Sequence, residues 1–216
     1  MNQILRPEIK KFILFGLIIK TTFGSINLNA ERLLSQIIIR SHPINPMNNS
    51  DRLSVFCSIS SRSIPWLTAQ GNHTNIGFGY KISKNLALEG TTFNKPLDSS
   101  SVQIISGGVQ YFFGGVDTLS WVTSIKKSNY NSIKSYNLNS ITFSISKWIN
   151  SRSKFFNFGF GSSFYKKSDF STSLIGQINF TYMNILIPVG GSQLGYGLEI
   201  NQNSFLNSLF IQKAFH

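Results

Sequence analysis

The sequence predicts an all-β fold, an antiparallel up-and-down transmembrane β-barrel of about ten strands, with eight to twelve compatible with the pattern. Three observations favour this fold: apolar/polar alternation, short turns that alternate with longer polar loops, and aromatic residues near one end of successive segments. Charged residues make up only 13% of the 216 residues, against roughly 25% in soluble domains. A membrane barrel explains this scarcity, because small polar residues fill its interior while Ile, Leu and Phe face lipid.

The alternation has a period of two, which in a strand places successive side chains on opposite faces. In residues 140–146, Ile141, Phe143 and Ile145 alternate with serine and threonine without interruption. A helical period does not explain such a run. Ten strands are predicted, near residues 52–60, 73–82, 86–94, 101–113, 117–126, 137–148, 154–165, 172–183, 192–200 and 205–215.

The predicted connections alternate between short and long. In outer-membrane barrels the periplasmic turns are short and the external loops are longer, and an even strand number leaves both termini in the periplasm. In the first hairpin, the short turn should pair Ile82 with Leu86 and keep both apolar sets on one face. Short turns are expected at 83–85, 114–116, 150–153 and 189–191, and longer loops at 61–72, 95–100, 127–136 and 166–171.

Residues 1–30 are predicted to be a cleavable export signal peptide. Basic residues precede the apolar run at 12–19, which is the order of a secretory signal. This run is too short to cross a bilayer as a helix, which needs about 20 residues. Cleavage is expected near Gly24 or Ala30, and the sequence leaves that choice open.

Residues 31–51 fit the strand series less well than the rest of the chain. Leu33–Ile39 is compatible with a strand, a short helix or part of a plug, and the Pro- and Asn-rich stretch after it indicates an irregular linker. The barrel domain is therefore predicted to cover residues 52–216.

Aromatic residues are predicted to form a girdle on the periplasmic side. Such rings favour the boundary between membrane and water, where one part of the side chain is apolar and another is wet. Ordinary packing in a soluble β-sandwich is the alternative. The predicted members are Tyr80, Tyr111, Phe113, Trp148, Tyr182 and Phe215.

The parity of the strands predicts a polar network inside the lumen, formed by Glu89, Lys81, Glu199 and Arg52. A charge in a narrow interior is costly unless it is paired or hydrated. Glu89 should lie opposite Gly79 and diagonal to Lys81, so the network should contain a Glu89–Lys81 pair. Separate hydration of each charge is the alternative.

No catalytic, metal-binding or nucleotide-binding motif is apparent in the sequence. Cys57 is the only cysteine, which excludes an intramolecular disulfide and a cysteine metal cluster. The sequence contains no HExxH, CxxC, P-loop or EF-hand pattern. We therefore expect neither enzymatic activity nor a cofactor.

The chain is strongly basic, with 20 Lys and Arg residues against 8 Asp and Glu residues and a net charge of +12. Such a surplus suggests nucleic acid as a partner. However, the lysines lie mostly at or near predicted turns, and the chain has no basic helix or RNA-binding signature. The expected partners are membrane lipids, including lipopolysaccharide phosphates. Simple solvation of loop lysines is the alternative.

Two stretches resemble OmpA-type and related small outer-membrane barrels. Residues 76–90 resemble a common hairpin, with a Gly-rich strand that ends in an aromatic residue, a polar turn with Asn, and then Leu-x-Leu-Glu. Residues 209–215 resemble the C-terminal strand by which such proteins are recognised for assembly. The resemblance implies residence in the bacterial outer membrane and contact with its assembly machinery. It implies no functional residue.

Three functions follow from this architecture. The first is a structural or surface-interaction barrel, favoured because the interior of a barrel near eight to ten strands is largely filled by side chains. The second is a transporter or channel for small solutes or lipids. The third is an outer-membrane enzyme that modifies lipids.

Overall fold

The computed structural model describes residues 47–48, 50–63, 73–97, 100–115, 118–132, 136–151, 153–169, 173–201 and 205–215. Their strands form a closed antiparallel barrel in which each strand pairs with its neighbours in sequence and β1 pairs with β10. The strands are β1 (Leu53–Ser63), β2 (His73–Lys81), β3 (Leu86–Leu97), β4 (Ser100–Gly115), β5 (Thr118–Ser132), β6 (Tyr136–Ser151), β7 (Lys154–Asp169), β8 (Ser173–Val189), β9 (Ser192–Asn201) and β10 (Phe205–Phe215).

The observed topology confirms the predicted up-and-down barrel with ten strands. Several strands are longer than predicted; for example, β5 reaches Ser132, β7 reaches Asp169 and β8 reaches Val189. The loops predicted at 127–136 and 166–171 are therefore mostly strand where they are described. Polar residues in these stretches still pair across strands, as Asn129 does with Asn139. Strand pairing therefore continues beyond the residues whose apolar/polar alternation predicted the strands.

The two ends of the barrel differ in their connections. We call one the turn end: it carries the connection at residues 82–85 and the turn at Gly190 and Gly191, together with the start of β1 and the end of β10. Both glycines have positive φ, as a tight hairpin turn requires. Ile82 N donates to Leu86 O at 2.9 Å, which confirms the pairing predicted for the first hairpin. The opposite end is called the loop end.

The two faces of the sheet differ in polarity. Many large apolar side chains point outward and are exposed, while small polar side chains point into the lumen and are buried. This reverses the usual arrangement of a soluble protein. The exposed residues include Val55, Ile59, Ile76, Phe78, Ile105, Ile125, Ile141, Phe143, Phe160, Leu194, Leu209 and Ile211. The buried polar residues include Ser54, Ser58, Asn75, Thr91, Ser106, Ser128, Ser140, Thr142, Asn157, Asn184 and Gln212.

The lumen is layered along the barrel, with an apolar cluster toward each end and a polar band between them. The loop-end cluster contains Phe93, Ile104, Tyr130, Leu138, Tyr165 and Ile178. The turn-end cluster contains Met47, Ala87, Phe112, Val122, Trp148, Leu186 and Phe210. Because both clusters are buried, they fill the lumen on either side of the polar band.

Large aromatic rings in the lumen lie over glycines on the neighbouring strand. A Cβ atom at Gly195 would overlap the ring of Phe210, its cross-strand partner. Without a side chain, the glycine leaves the space that the ring occupies. The same relationship joins Phe56 with Gly77, Tyr165 with Gly176, Phe180 with Gly161 and Tyr182 with Gly159.

Candidate functional site: the polar band of the lumen

Glu89 lies in the polar band between two glycines. On β3, its neighbours across the sheet are Gly79 of β2 and Gly108 of β4. The register with Gly79 is the one predicted from the first hairpin. A Cβ atom at Gly108 would lie 3.0 Å from Glu89 Oε1, so the glycine leaves room for the carboxylate.

The Glu89 carboxylate is held by two side chains from the next strands. Lys126 Nζ lies 3.5 Å from Glu89 Oε2, and both side chains are buried. Gln110 Nε2 donates a hydrogen bond of 2.8 Å to the same oxygen. Lys126 pairs with Gly108 across β4 and β5, so the carboxylate and the ammonium meet over a strand position with no side chain. The glycine allows an ion pair between strands that are not direct neighbours.

The predicted Glu89–Lys81 pair is wrong, because Lys126 is the partner of Glu89. Lys81 Nζ instead lies 4.9 Å from the centroid of the Phe112 ring at the turn end. Lys81 also interacts electrostatically with Asp51 at that end of the barrel. Lys81 lies diagonal to Glu89 across β2 and β3, whereas Lys126 lies two strands away from Glu89, on β5. Only the assembled sheet shows which of the two lysines contacts Glu89.

Arg52 lies outside the buried network in which it was predicted. Its side chain is exposed at the turn end. Its backbone joins the first and last strands to the first hairpin: Arg52 N donates to Phe215 O at 2.9 Å, and Arg52 O accepts from Lys81 N at 2.8 Å. Because the residue stands just before β1, its side chain reaches water at the open edge of the barrel.

Glu199 lies in the lumen, as its parity predicts, and the residue is 1% exposed. Among the described residues, neither of its oxygens has a hydrogen-bond partner. Its cross-strand neighbour Tyr182 bonds instead to Ser144 and Ser146 on β6. The positive charge of Lys126 also acts on Glu199. Within the described part of the chain the two lumen carboxylates therefore differ, since Glu89 accepts a hydrogen bond and forms an ion pair whereas Glu199 accepts no hydrogen bond.

Residues before β1 enter the turn end of the lumen. Met47 is 1% exposed within the turn-end cluster. Asp51 follows it and accepts from Asn48 N at 3.3 Å and from Gln212 Nε2 at 3.5 Å. This contribution could not be predicted from the sequence, since one Met in a Pro- and Asn-rich stretch gives no periodic signal. The predicted signal peptide and the rest of the 31–51 segment lie outside the described residues.

Four of the six aromatic residues predicted for the girdle face outward: Tyr80, Tyr111, Phe113 and Phe215. Trp148 and Tyr182 face the lumen, and their predicted positions are wrong. Trp148 has the parity opposite to Ile145, and the extension of β8 to Val189 places Tyr182 within the strand instead of near its end. The outward face also contains Trp121, which the prediction missed. Tyr111, Phe113 and Trp121 form a stacked row with successive ring centroids 6.3 Å apart.

Within the residues that the structure describes, no group of three or more His, Cys, Asp or Glu residues could hold a metal ion. No helix in that part of the chain is long and apolar enough to cross a bilayer.

The fold and the polar lumen define a closed up-and-down β-barrel with an apolar exterior. Solved structures similar to the chain are bacterial outer-membrane barrels. The translocator domain of the autotransporter NalP from Neisseria meningitidis is 9% identical, with 86% of this chain and 96% of that chain covered and a TM-score of 0.45. The KdgM porin is 10% identical, with 76% and 99% covered and a TM-score of 0.42. No family model and no curated protein sequence matches the chain.

Proposed function

We propose that this chain is a bacterial outer-membrane barrel protein with a largely side-chain-filled lumen and a structural or surface-interaction role. The proposal depends on one observation: the outer face of the barrel is apolar and the lumen face is polar, which is the reverse of a soluble protein. Ile59, Ile141 and Leu209 are exposed on the outside, whereas Glu89 and Glu199 are buried inside. An apolar exterior of this kind is stable in lipid and costly in water.

The lengths of the strands support membrane residence. Strands β1, β2, β3, β9 and β10 contain 9 to 12 residues. A tilted strand needs about 9–11 residues to cross a membrane. The other five strands contain 15 to 17 residues and therefore exceed a single crossing.

The layered lumen supports a closed interior. Phe112, Trp148 and Phe210 meet in the turn-end cluster, and Phe93 and Tyr165 are buried in the loop-end cluster. An open aqueous pathway would have to pass both apolar layers. We therefore favour an interaction role over conduction, which agrees with the small interiors of barrels near this strand number.

The proposal includes a route to the membrane. The predicted signal peptide at residues 1–30 would direct export, and the C-terminal strand β10 would be recognised by the outer-membrane assembly machinery. The predicted partners are lipids of that membrane and no nucleic acid. Protein recovered from membranes should lack Met1 by intact-mass measurement, and retention of Met1 would contradict cleavage.

Fractionation and gel mobility test the membrane assignment. The full chain should fractionate with the outer membrane and migrate differently in gels before and after heating, because unfolding a closed barrel changes its mobility. A folded β-protein that stays soluble without detergent would contradict the assignment and support a soluble β-sandwich.

Conductance in planar bilayers tests the closed lumen. The unmodified barrel should show no stable conductance steps. Phe112→Ala combined with Trp148→Ala should admit ions, because it removes two large rings from the turn-end cluster. Outward-facing Tyr111→Ala is the matched control and should stay silent. Steady conductance by the unmodified barrel would instead support the channel as its function.

We also propose that the barrel is not an enzyme. The Glu89 carboxylate is already engaged by Lys126 and Gln110, a structural arrangement rather than that of a free base. Lipid-hydrolysis and acyl-transfer assays on the refolded protein should give no activity above the Glu89→Gln variant. Turnover that the Glu89→Gln variant loses would support the enzyme instead.

A further inference from the structure

A group of polar side chains lies on the outer surface of β5, β6 and β7, toward the loop end. We call it the outer cationic patch; it consists of Lys127, Asn129, Asn139 and Lys166, all exposed. Lys126, which precedes Lys127 in the chain, points into the lumen, so the patch is distinct from the site around Glu89.

The register brings the four side chains together. Asn139 is the direct cross-strand neighbour of both Asn129 and Lys166. Lys127 pairs with Ile141, two residues from Asn139, and therefore lies diagonal to it. Direct neighbours on a sheet have Cβ atoms about 4.5–5.5 Å apart and diagonal ones about 7–8 Å. Two flexible ammonium groups can therefore converge on one anion, with amide groups between them as further donors.

An exposed apolar surface adjoins the patch on its turn-end side. Ile125, Ile141, Phe143 and Phe164 are each 46–47% exposed. The Phe143 and Phe164 rings meet edge to face, with centroids 6.3 Å apart. Cationic donors next to exposed apolar side chains match an amphiphile with an anionic head and hydrocarbon chains.

The charges of the described surface favour an anion. Where exposure is described, the acids Asp51, Glu89 and Glu199 are all buried. The exposed charged side chains in the same part of the chain are all basic: Arg52, Lys84, Lys127, Lys147, Lys154, Lys166 and Lys213. Among the acids whose side chains the structure describes, none competes with a bound anion for the two patch lysines.

The patch also lies at the level expected for lipid headgroups. The stretches Thr118–Lys127 and Lys154–Lys166 both run from the turn end to the patch. The first stretch has the length of one membrane crossing, about 9–11 residues in a tilted strand, and the second is slightly longer. If the turn end faces the periplasm, the patch lies at the outer-leaflet boundary.

We propose that the outer cationic patch binds a phosphate group of an outer-leaflet glycolipid of the lipopolysaccharide class, with acyl chains against Phe143 and Phe164. This inference rests on the proposed membrane location. Lys127 and Lys166 supply charge-assisted hydrogen bonds to the phosphate, and Asn139 supplies an amide donor between them.

Lipid titration of the refolded full chain tests the site. The barrel in a phosphate-free maltoside detergent is titrated with diphosphorylated lipid A, and bound lipid is counted by native mass spectrometry. Lys127→Gln combined with Lys166→Gln should weaken binding about tenfold or more, because two charge-assisted contacts are lost. Lys127→Arg combined with Lys166→Arg should retain most of the affinity.

The matched control changes the same number of charges at the other end of the barrel. Lys147→Gln combined with Lys213→Gln removes two exposed lysines that lie over Trp121 and Phe215, and it should leave lipid A affinity within about twofold. Equal losses in both double variants would indicate attraction by net charge alone and would overturn the site. No loss in the Lys127/Lys166 variant would overturn it as well.

Two further binding measurements identify the ligand. An uncharged glycolipid with the same acyl chains should bind the two double variants and the unmodified barrel equally. Millimolar inorganic phosphate should not displace lipid A, and full displacement would overturn the lipid assignment. Gel mobility before and after heating is recorded for the unmodified barrel and for each variant, so that only folded barrels are compared. An unmodified barrel whose mobility does not change on heating counts against the proposed function, whereas a folded barrel without lipid preference counts against this site alone.

Discussion

The Lys126 ammonium reaches the Glu89 carboxylate, 3.5 Å away, over the bare position of Gly108 on the strand between them. Pairs on one face of a sheet usually join adjacent strands. Here the absent side chain lets charges from β3 and β5 meet within the lumen, so that three strands of the barrel wall are tied together. Gln110 binds the same carboxylate oxygen and supports its position.

The first prediction is that Glu89 and Lys126 are energetically coupled. Lys126→Met should lower the free energy of unfolding by about 3–5 kcal/mol, because it leaves a buried carboxylate without its counter-charge. Glu89→Gln combined with Lys126→Met should cost clearly less than the sum of the single changes. Urea unfolding of the detergent-refolded protein measures both. The control cycle of Glu89→Gln with Lys81→Met should show coupling near zero, and stronger coupling there would contradict the observed pairing.

The second prediction is that Glu199 responds in the opposite direction to Glu89. The described residues offer no hydrogen bond to either Glu199 oxygen, so Glu199→Gln should leave stability unchanged or raise it by about 1–3 kcal/mol. Glu89→Gln should lower stability, because it removes the partner of Lys126. The same urea titrations compare the two variants. A loss above about 2 kcal/mol in Glu199→Gln would show that the carboxylate has a stabilising partner.

The third prediction concerns the space over Gly195. Gly195→Ala should destabilise the barrel by about 1–3 kcal/mol, because the added Cβ atom displaces the Phe210 ring from the turn-end cluster. Gly107→Ala is the matched control, since its Cβ atom would meet nothing closer than 3.9 Å. That change should stay within about 0.5 kcal/mol. Equal effects at the two positions would argue against the role assigned to the Phe210 ring.

The fourth prediction uses Cys57 as a probe of the outer surface. Its side chain is exposed on β1 between Val55 and Ile59, which also face outward. In vesicles that contain the folded barrel, a charged, water-soluble maleimide should label it very slowly, because the hydrocarbon of the bilayer excludes the charged reagent. The chain unfolded in urea should be labelled rapidly. Rapid labelling in intact vesicles would place Cys57 in water and contradict the proposed membrane band.

The fold could be predicted from the sequence because alternation is a local property. A period of two fixes which side chains share a face, and a short turn fixes the register of one hairpin. Ile82 therefore pairs with Leu86, and Glu89 lies beside Gly79. The same parity places Glu199 in the lumen. The ends of strands were harder to predict, since β5 and β7 continue through polar residues that pair as well as apolar ones do.

The candidate site was predicted in part. Its charged residues Glu89 and Glu199 followed from parity, but Lys126 and Gln110 were missed as partners. Trp148 and Tyr182 lie near predicted strand ends, which indicated the girdle, but their parity places both side chains in the lumen. The entry of Met47 into the turn-end cluster had no periodic signal at all.

The sequence by itself determined that this chain alternates between an apolar and a polar face along about ten strands, because side-chain direction in a strand depends only on position. The tertiary structure alone decided which groups meet inside the barrel. Lys126 rather than Lys81 reaches Glu89, because that contact needs the registers of β3, β4 and β5 together and an empty position at Gly108. A contact across three strands depends on closure of the whole sheet, and no local pattern encodes it.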